Sequence, residues 1–258
     1  MNVTAVIDHI SLWLKTYSEK AGTKGFVVGV SGGIDSAVTS TLAAKTGLPV
    51  ICVEMPIHQH PDQVNRAIKH IEWLQKQYSN VRFESVELTG IFDAFVDALP
   101  ESKADSANMA LVNTRARIRM TTLYYFAALK GMLVAGTGNK IEDFGIGFFT
   151  KYGDGGVDIS PIADLTKTEV YEVAATLGVN QDIQDAPPTD GLWGDDRTDA
   201  DQIGATYPEL EWAMNFSGEE NKLTDRQAEV LAIYRRLHRA NLHKMEPIPV
   251  CNIPSTIR

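Results

Sequence analysis

The stretch Val27-Val28-Gly29-Val30-Ser31-Gly32-Gly33-Ile34-Asp35-Ser36-Ala37-Val38 decides the fold of this chain. It opens as a short β-branched apolar run, the pattern of a buried strand. It closes as the start of a helix whose apolar positions continue through Val38 and Leu42. Between the two, Ser31-Gly32-Gly33 must turn sharply, and the glycines let bare backbone N–H groups approach a ligand. Unsatisfied donors at a helix N-terminus, backed by the positive end of the helix dipole, form an anion site. Ser31 and Ser36 add hydroxyl donors. Asp35 is the odd residue, because a carboxylate among phosphate oxygens repels them unless a divalent cation lies between. Asp35 therefore argues for Mg²⁺ together with a polyphosphate. The loop lacks a terminal Gly-Lys-Ser/Thr and is no Walker A loop.

Working outward, the 258 residues are enough for one large α/β domain, and a hydrophobic content of 44% is ordinary for a globular protein. The formal net charge of −9 argues against a nucleic-acid partner, which calls for a basic stripe. Two cysteines give neither a disulfide framework nor metal-ligand spacing, and Cys52 lies in the apolar run Val50-Ile51-Cys52-Val53. The first residues carry Asp8, His9, Lys15 and Glu19 inside an apolar pattern, unlike a signal peptide, and no apolar run reaches membrane-spanning length. These features together predict a cytoplasmic protein without membrane or nucleic-acid partners.

Along the chain, Val3, Val6, Ile7, Ile10 and Leu14 predict an amphipathic first helix. A second strand at 49–53 ends in Met55-Pro56, at the strand edge where doubly wound sheets bind ligands, so Met55 is either an adenine contact or part of a plain strand-end loop. His58 and His60 lack the carboxylate or cysteine partners of a metal site. A helix over 62–78 and a strand over 81–86 continue the strand–helix alternation of an α/β fold. The helix predicted over 106–129 is apolar on both faces, which predicts burial on two sides. It places Arg115 and Arg119 on one face and Arg117 nearly opposite; these arginines either meet an anion or form a solvated stripe.

A strand at 133–135 leads into Gly136-Thr137-Gly138-Asn139-Lys140-Ile141-Glu142, a second glycine turn at the same sheet edge. There Glu142 is either the second carboxylate of the metal or a surface acid. The block Gly147-Phe148-Phe149-Thr150-Lys151-Tyr152-Gly153-Asp154-Gly155-Gly156-Val157-Asp158 suits no regular element; it either fixes charged groups on a closely approaching backbone or is a merely structural loop. Thr166-Lys167-Thr168-Glu169 reads as a capping box, with Lys167 in the first turn, where the dipole disfavours a cation unless an anion or solvent meets it. The Asp-, Pro- and Gly-rich segment 181–202, including Pro187-Pro188-Thr189-Asp190-Gly191-Leu192-Trp193, Asp195 and Asp196, is expected to be a lid or disordered. Thr224 caps a last helix, with His243-Lys244 following it.

The loop 29–36 resembles the pyrophosphate loop of the N-type ATP pyrophosphatases, and the full set of blocks resembles the NAD⁺ synthetase family over essentially the whole chain. The string Gly147 through Gly156 is the most specific part. The resemblance implies a single-domain, Rossmann-like, doubly wound parallel sheet flanked by helices, of the adenine nucleotide alpha hydrolase kind. It implies ATP-dependent amidation of deamido-NAD⁺ by ammonia through an acyl-adenylate, with AMP and pyrophosphate released. Carried over by position, Asp35 and Glu142 resemble Mg²⁺ ligands. Gly29, Val30, Ser31, Gly32, Gly33, Ile34, Asp35, Ser36, Met55, Thr137, Lys167 and Thr189 resemble ATP contacts. Arg117, Lys151, Asp158, His243 and Lys244 resemble deamido-NAD⁺ contacts, and Asp154 is expected to orient or deprotonate ammonium.

The family also implies a homodimer. Where some relatives carry Thr-Asp-His-Ala-Ala-Glu this chain has Thr-Gly-Asn-Lys-Ile-Glu, and its spacing from Glu142 to Lys151 is one residue longer, which leaves the path over 143–146 open. Glutamine-dependent relatives add a glutaminase domain with a catalytic cysteine. Here the first strand begins near Phe26 and neither Cys52 nor Cys251 suits that role, so direct use of ammonia is expected. Another ATP pyrophosphatase, acting in GMP synthetase-like amidation or tRNA thiolation, and a non-catalytic nucleotide sensor are the alternatives.

Overall fold

The computed structural model describes residues 1–102, 104, 106–189 and 198–258. Four strands, β1 (Phe26–Gly29), β2 (Val50–Glu54), β3 (Val81–Ser85) and β4 (Leu133–Val134), form a parallel sheet in the order β3-β2-β1-β4. Their apolar runs are those of strands covered on both faces. On one face Val28, Val50 and Cys52 pack against α1 (Val3–Ala21), α2 (Ile34–Lys45), α3 (Pro61–Gln77) and α6 (Lys167–Leu177). On the other, Val27, Ile51, Val53 and Val134 pack against α4 (Thr89–Asp97) and α5 (Ala107–Lys130). The expected doubly wound sheet is present. Because β2 and β4 leave β1 in opposite directions, the crevice at the carboxyl ends of β1 and β4 is a topological switch point.

The short helices α7 (Gln181–Gln184), α8 (Asp199–Ile203) and α9 (Tyr207–Asn215) lead to the long α10 (Asp225–Met245). A third apolar cluster, built on Ile141, Ile146, Ile203, Tyr207, Leu210 and Leu231, joins α8, α9 and α10 to the segment after β4. Within the expected lid, 190–193, Asp195 and Asp196 lie outside the described residues, and its described ends are helical.

Two expectations change. Helix α4 has no counterpart in the sequence reading: its N-cap, Leu88, makes no side-chain capping bond, so the start signal is missing. Helix α5 is buried on one side only within the chain. Val112, Ala116 and Ala127 face inward, whereas Met109, Tyr125 and Leu129 are exposed. Its all-round apolar pattern thus leaves an uncovered face, and Ile91 and Phe95 of the neighbouring α4, with Leu99 just beyond it, are also exposed.

The α2–α3 contact contains a buried histidine. His70 is fully buried, stacks on Trp73, and its Nε2 lies 3.0 Å from Ser40 Oγ. Burial pushes its pKa down from 6.5 to about 4. The unfolded chain therefore takes up a proton between these values that the native protein refuses. Stability present above pH 6.5 is lost as the pH falls toward 4, by about 2 kcal/mol at pH 5 from this group. Urea unfolding at pH 7 and pH 5 should show a larger loss in the wild type than in His70→Leu; equal losses would contradict the assignment.

Candidate active site

Loop 30–33 joins β1 to α2 at the switch point. Gly32 adopts φ +82°, and a Cβ there would come within 2.5 Å of the Gln63 carbonyl oxygen, so both its conformation and its contact with α3 require glycine. Ser36 Oγ donates to the Gly33 carbonyl at 2.9 Å and accepts from the Ser31 N–H at 3.2 Å, which closes the turn. Gly33, the N-cap of α2, makes no side-chain capping bond, and its own N–H donates to Ser31 Oγ at 3.3 Å. Arg66 from α3 donates to the Gly32 carbonyl at 3.4 Å and places a guanidinium at the loop.

Asp35 stands at the centre of a buried charge cluster. Lys167 Nζ, on the first residue of α6, donates to Asp35 Oδ2 at 2.5 Å and to Glu142 Oε1 at 3.0 Å. The lysine side chain is 5% exposed and each carboxylate side chain 16%, so these charges act in a largely water-excluded space. Burial pulls the ammonium pKa down, but Asp35 and then Glu142 hold it well above the ordinary lysine value. The expected capping box of Thr166 with Glu169 is present, and the anions that meet Lys167 in its unfavourable helical position are protein carboxylates.

Asn139, fully buried, ties the cluster together. Its Nδ2 donates to Asp35 Oδ1 at 3.1 Å, while its Oδ1 accepts the Ile141 and Glu142 N–H groups at 3.1 and 3.2 Å. The Tyr207 hydroxyl lies 2.5 Å from Glu142 Oε1 and 2.8 Å from Asp199 Oδ2. Burial, then the charges of Glu142 and Asp199, keep the phenol protonated. The path over 143–146, left open by the sequence, is a π-helical turn, Ile141–Ile146, which ends at Gly147 in the left-handed region. That turn presents Asp143, whose pKa burial and the neighbouring Glu142, Asp154 and Asp35 push up to about 7.

One cleft joins these parts. It is lined by all of 29–36, Met55, Thr137, Glu142, Asp154, Lys167 and Thr189, so every residue expected to contact ATP lies on its wall. Asp154 accepts the Thr150 N–H at 2.9 Å, and burial raises its pKa. A Cβ on Gly153 would come within 2.8 Å of Ala116, so the loop lies against α5 as closely as glycine allows.

The five residues expected to contact deamido-NAD⁺ are not among those lining this cleft, and each is engaged with protein. Arg117 donates to the Lys151 carbonyl at 3.4 Å, and Lys151 Nζ to the His243 carbonyl at 2.5 Å. Lys244 holds the Gly147 and Phe149 carbonyls at 2.9 and 2.8 Å. Asp158 accepts from the Val134 N–H at 2.8 Å and the Tyr124 hydroxyl at 3.0 Å, which fastens the loop to β4 and α5. Arg119, not Arg117, is the arginine of α5 on the cleft wall, bonded to the Met55 carbonyl at 2.9 Å and to Gln59 at 2.7 Å. His58 pairs with Asp93 at 2.7 Å.

A parallel sheet with a glycine loop at its switch point, paired carboxylates and a buried lysine defines a nucleotide-binding α/β protein of the pyrophosphate-loop kind. The NAD synthase family model matches residues 6–247, and the chain belongs to that family. Among curated relatives, the NH₃-dependent NAD⁺ synthetases of Methanococcoides burtonii and Carboxydothermus hydrogenoformans are each 38% identical, covering 95% and 90% of this chain and 93% and 90% of their own. Among solved structures, the NMN synthetase of Francisella tularensis superposes with a TM-score of 0.85 at 30% identity, over 98% of this chain and all of its own. The NH₃-dependent NAD synthetase of Campylobacter jejuni does so with 0.78 at 25% identity and the same coverage.

Proposed function

We propose that this chain is a ligase that amidates deamido-NAD⁺ with ammonia at the expense of ATP. The observation that carries the reading is the Lys167 bridge between Asp35 and Glu142, set in one cleft with the pyrophosphate loop. Loop N–H groups and the α2 N-terminus receive the β- and γ-phosphates, with the guanidinium of Arg66 beside them. A nicotinate carboxylate oxygen then attacks the α-phosphorus. The new O–P bond forms as the bond to the bridging oxygen breaks, and pyrophosphate leaves with that electron pair. Ammonia attacks the acyl carbon, the acyl–oxygen bond breaks, AMP leaves, and nitrogen gives up a proton.

Asp154, in the loop over α5, orients the ammonium or takes its proton. Arg117, Lys151, Asp158, His243 and Lys244 shape the dinucleotide side, and their bonds to backbone make the loop 147–158 the element they position. Among the described residues no group of three or more His, Cys, Asp and Glu can hold a metal. Two hard-oxygen carboxylates are nevertheless what Mg²⁺ takes when phosphates complete its shell. Asp35 and Glu142 would hold it, and it would supply charge neutralisation for the departing pyrophosphate.

Because one structural relative is an NMN synthetase, nicotinate mononucleotide is the comparison substrate. With ATP, Mg²⁺ and ammonium, deamido-NAD⁺ should give NAD⁺ and AMP in equal amounts, with a higher kcat/KM than the mononucleotide. A preference for the mononucleotide would move the reading to the shorter substrate. The uncovered apolar face of α4 and α5 supports a C₂ homodimer. Sedimentation at micromolar concentration should give twice the chain mass, and an active monomer would contradict it.

A further inference from the structure

Glu54 is the last residue of β2 and stands apart from the Asp35–Lys167–Glu142 cluster. It is 4% exposed and lines the cleft beside Met55. Its Oε2 accepts from Ser85 Oγ at 2.8 Å. Its Oε1 has no hydrogen-bond partner among the described residues, yet it is not one of the side-chain atoms sealed from solvent without a partner. A nearly buried carboxylate costs desolvation energy, and a ligand donor arriving in the cleft can replace water at the lone pairs of Oε1. Burial raises its pKa, while the Ser85 bond and the nearby Arg119 charge favour the ionised form.

The position limits what can arrive. Val30 donates to the Val53 carbonyl at 2.9 Å, so Glu54 stands on the strand beside the chain that enters the pyrophosphate loop. A carboxylate only accepts hydrogen bonds, so phosphates and the nicotinate carboxylate are repelled by it. The donors that an ATP seated on this loop carries are the 6-amino group of the base and the ribose hydroxyls. Apolar side chains line the same cleft as Glu54: Met55, Val64 and Leu123 offer surface against which a flat base can lie. We infer that Glu54 is a specificity-determining residue that accepts a hydrogen bond from the adenosine of ATP through Oε1.

This inference rests on the ATP-dependent reading above, and nucleotide binding tests it separately from turnover. Dissociation constants for the Mg²⁺ complexes of ATP, ITP, 2′-deoxy-ATP and 3′-deoxy-ATP would be measured by calorimetry on wild type and the near-isosteric Glu54→Gln, with thermal unfolding as a fold control. Wild type should disfavour one class of analogue about 10- to 100-fold. Glu54→Gln should weaken ATP about tenfold and collapse that same preference. Collapse of the ATP/ITP ratio assigns the base amine, and collapse of a deoxy ratio assigns the ribose. Unchanged ratios in Glu54→Gln would overturn the inference, even if the protein makes NAD⁺. Protein that binds ATP with the expected ratios but makes no NAD⁺ would retain the inference and fail the functional reading instead.

Discussion

Asp35→Asn should lower kcat for NAD⁺ formation by at least about 10²-fold, the scale of one transition-state electrostatic contact, with the fold intact. The substitution keeps the side-chain shape, removes the charge, and leaves one acceptor oxygen where Asn139 and Lys167 now donate to two. If Asp35 serves the departing pyrophosphate, the loss falls on kcat and kcat/KM together, and the KM for deamido-NAD⁺ moves little. Full activity would sink the role given to this carboxylate. A change confined to KM for ATP would restrict it to ground-state binding.

The second large effect is expected at Lys167. Its ammonium is the cation that Asp35 and Glu142 share inside the protein, over the ring of Tyr207 at 4.6 Å. Removing one partner of a buried ion cluster leaves the others desolvated and uncompensated, which typically costs about 3–5 kcal/mol. Lys167→Met keeps the aliphatic stem and deletes the charge. It should lower unfolding stability at pH 7 by that order and lower kcat by at least about 10²-fold. Lowering the pH should recover part of the lost stability, because protonating the abandoned carboxylates removes their repulsion. Denaturant unfolding of both proteins at pH 7 and pH 5 checks this; a variant as stable as the wild type would show that the bridge is not a structural element.

What the sequence makes legible follows the range of the signal. The strand, glycine turn and helix of 26–45 are local, and so is the capping box of Thr166; both appear in the structure as expected. The identity of the anions at Lys167 is not local. Asp35 lies 132 residues away and Glu142 25, so sequence shows an uncomfortable lysine but not what answers it. Tyr207 follows the same rule. It sits in the first turn of a Pro-containing helix and reads as core, and only the packing of α9 on the π-helical turn brings its hydroxyl to Glu142. Asn139 lies inside the second glycine turn, but its two-way grip depends on the carboxylate of α2, which is remote in sequence. Glu54 has no motif at all: a charged residue ending an apolar strand reads as a solvent-facing terminus, and only the folded chain shows it buried against Ser85 at the cleft.

The choice of nitrogen donor tests ammonia-dependent amidation most directly. Purified protein supplied with deamido-NAD⁺, ATP and Mg²⁺ would be followed for NAD⁺, AMP and pyrophosphate, with ammonium or glutamine as the nitrogen source. A second set of glutamine reactions would contain an enzymatic ammonium scavenger. The prediction is ammonium-dependent NAD⁺ formation with one AMP and one pyrophosphate per NAD⁺, and no glutamine-driven synthesis once ammonium is scavenged. Glutamine-driven synthesis that persists under scavenging, or ammonium-dependent turnover that yields ADP and phosphate instead of AMP and pyrophosphate, would contradict it.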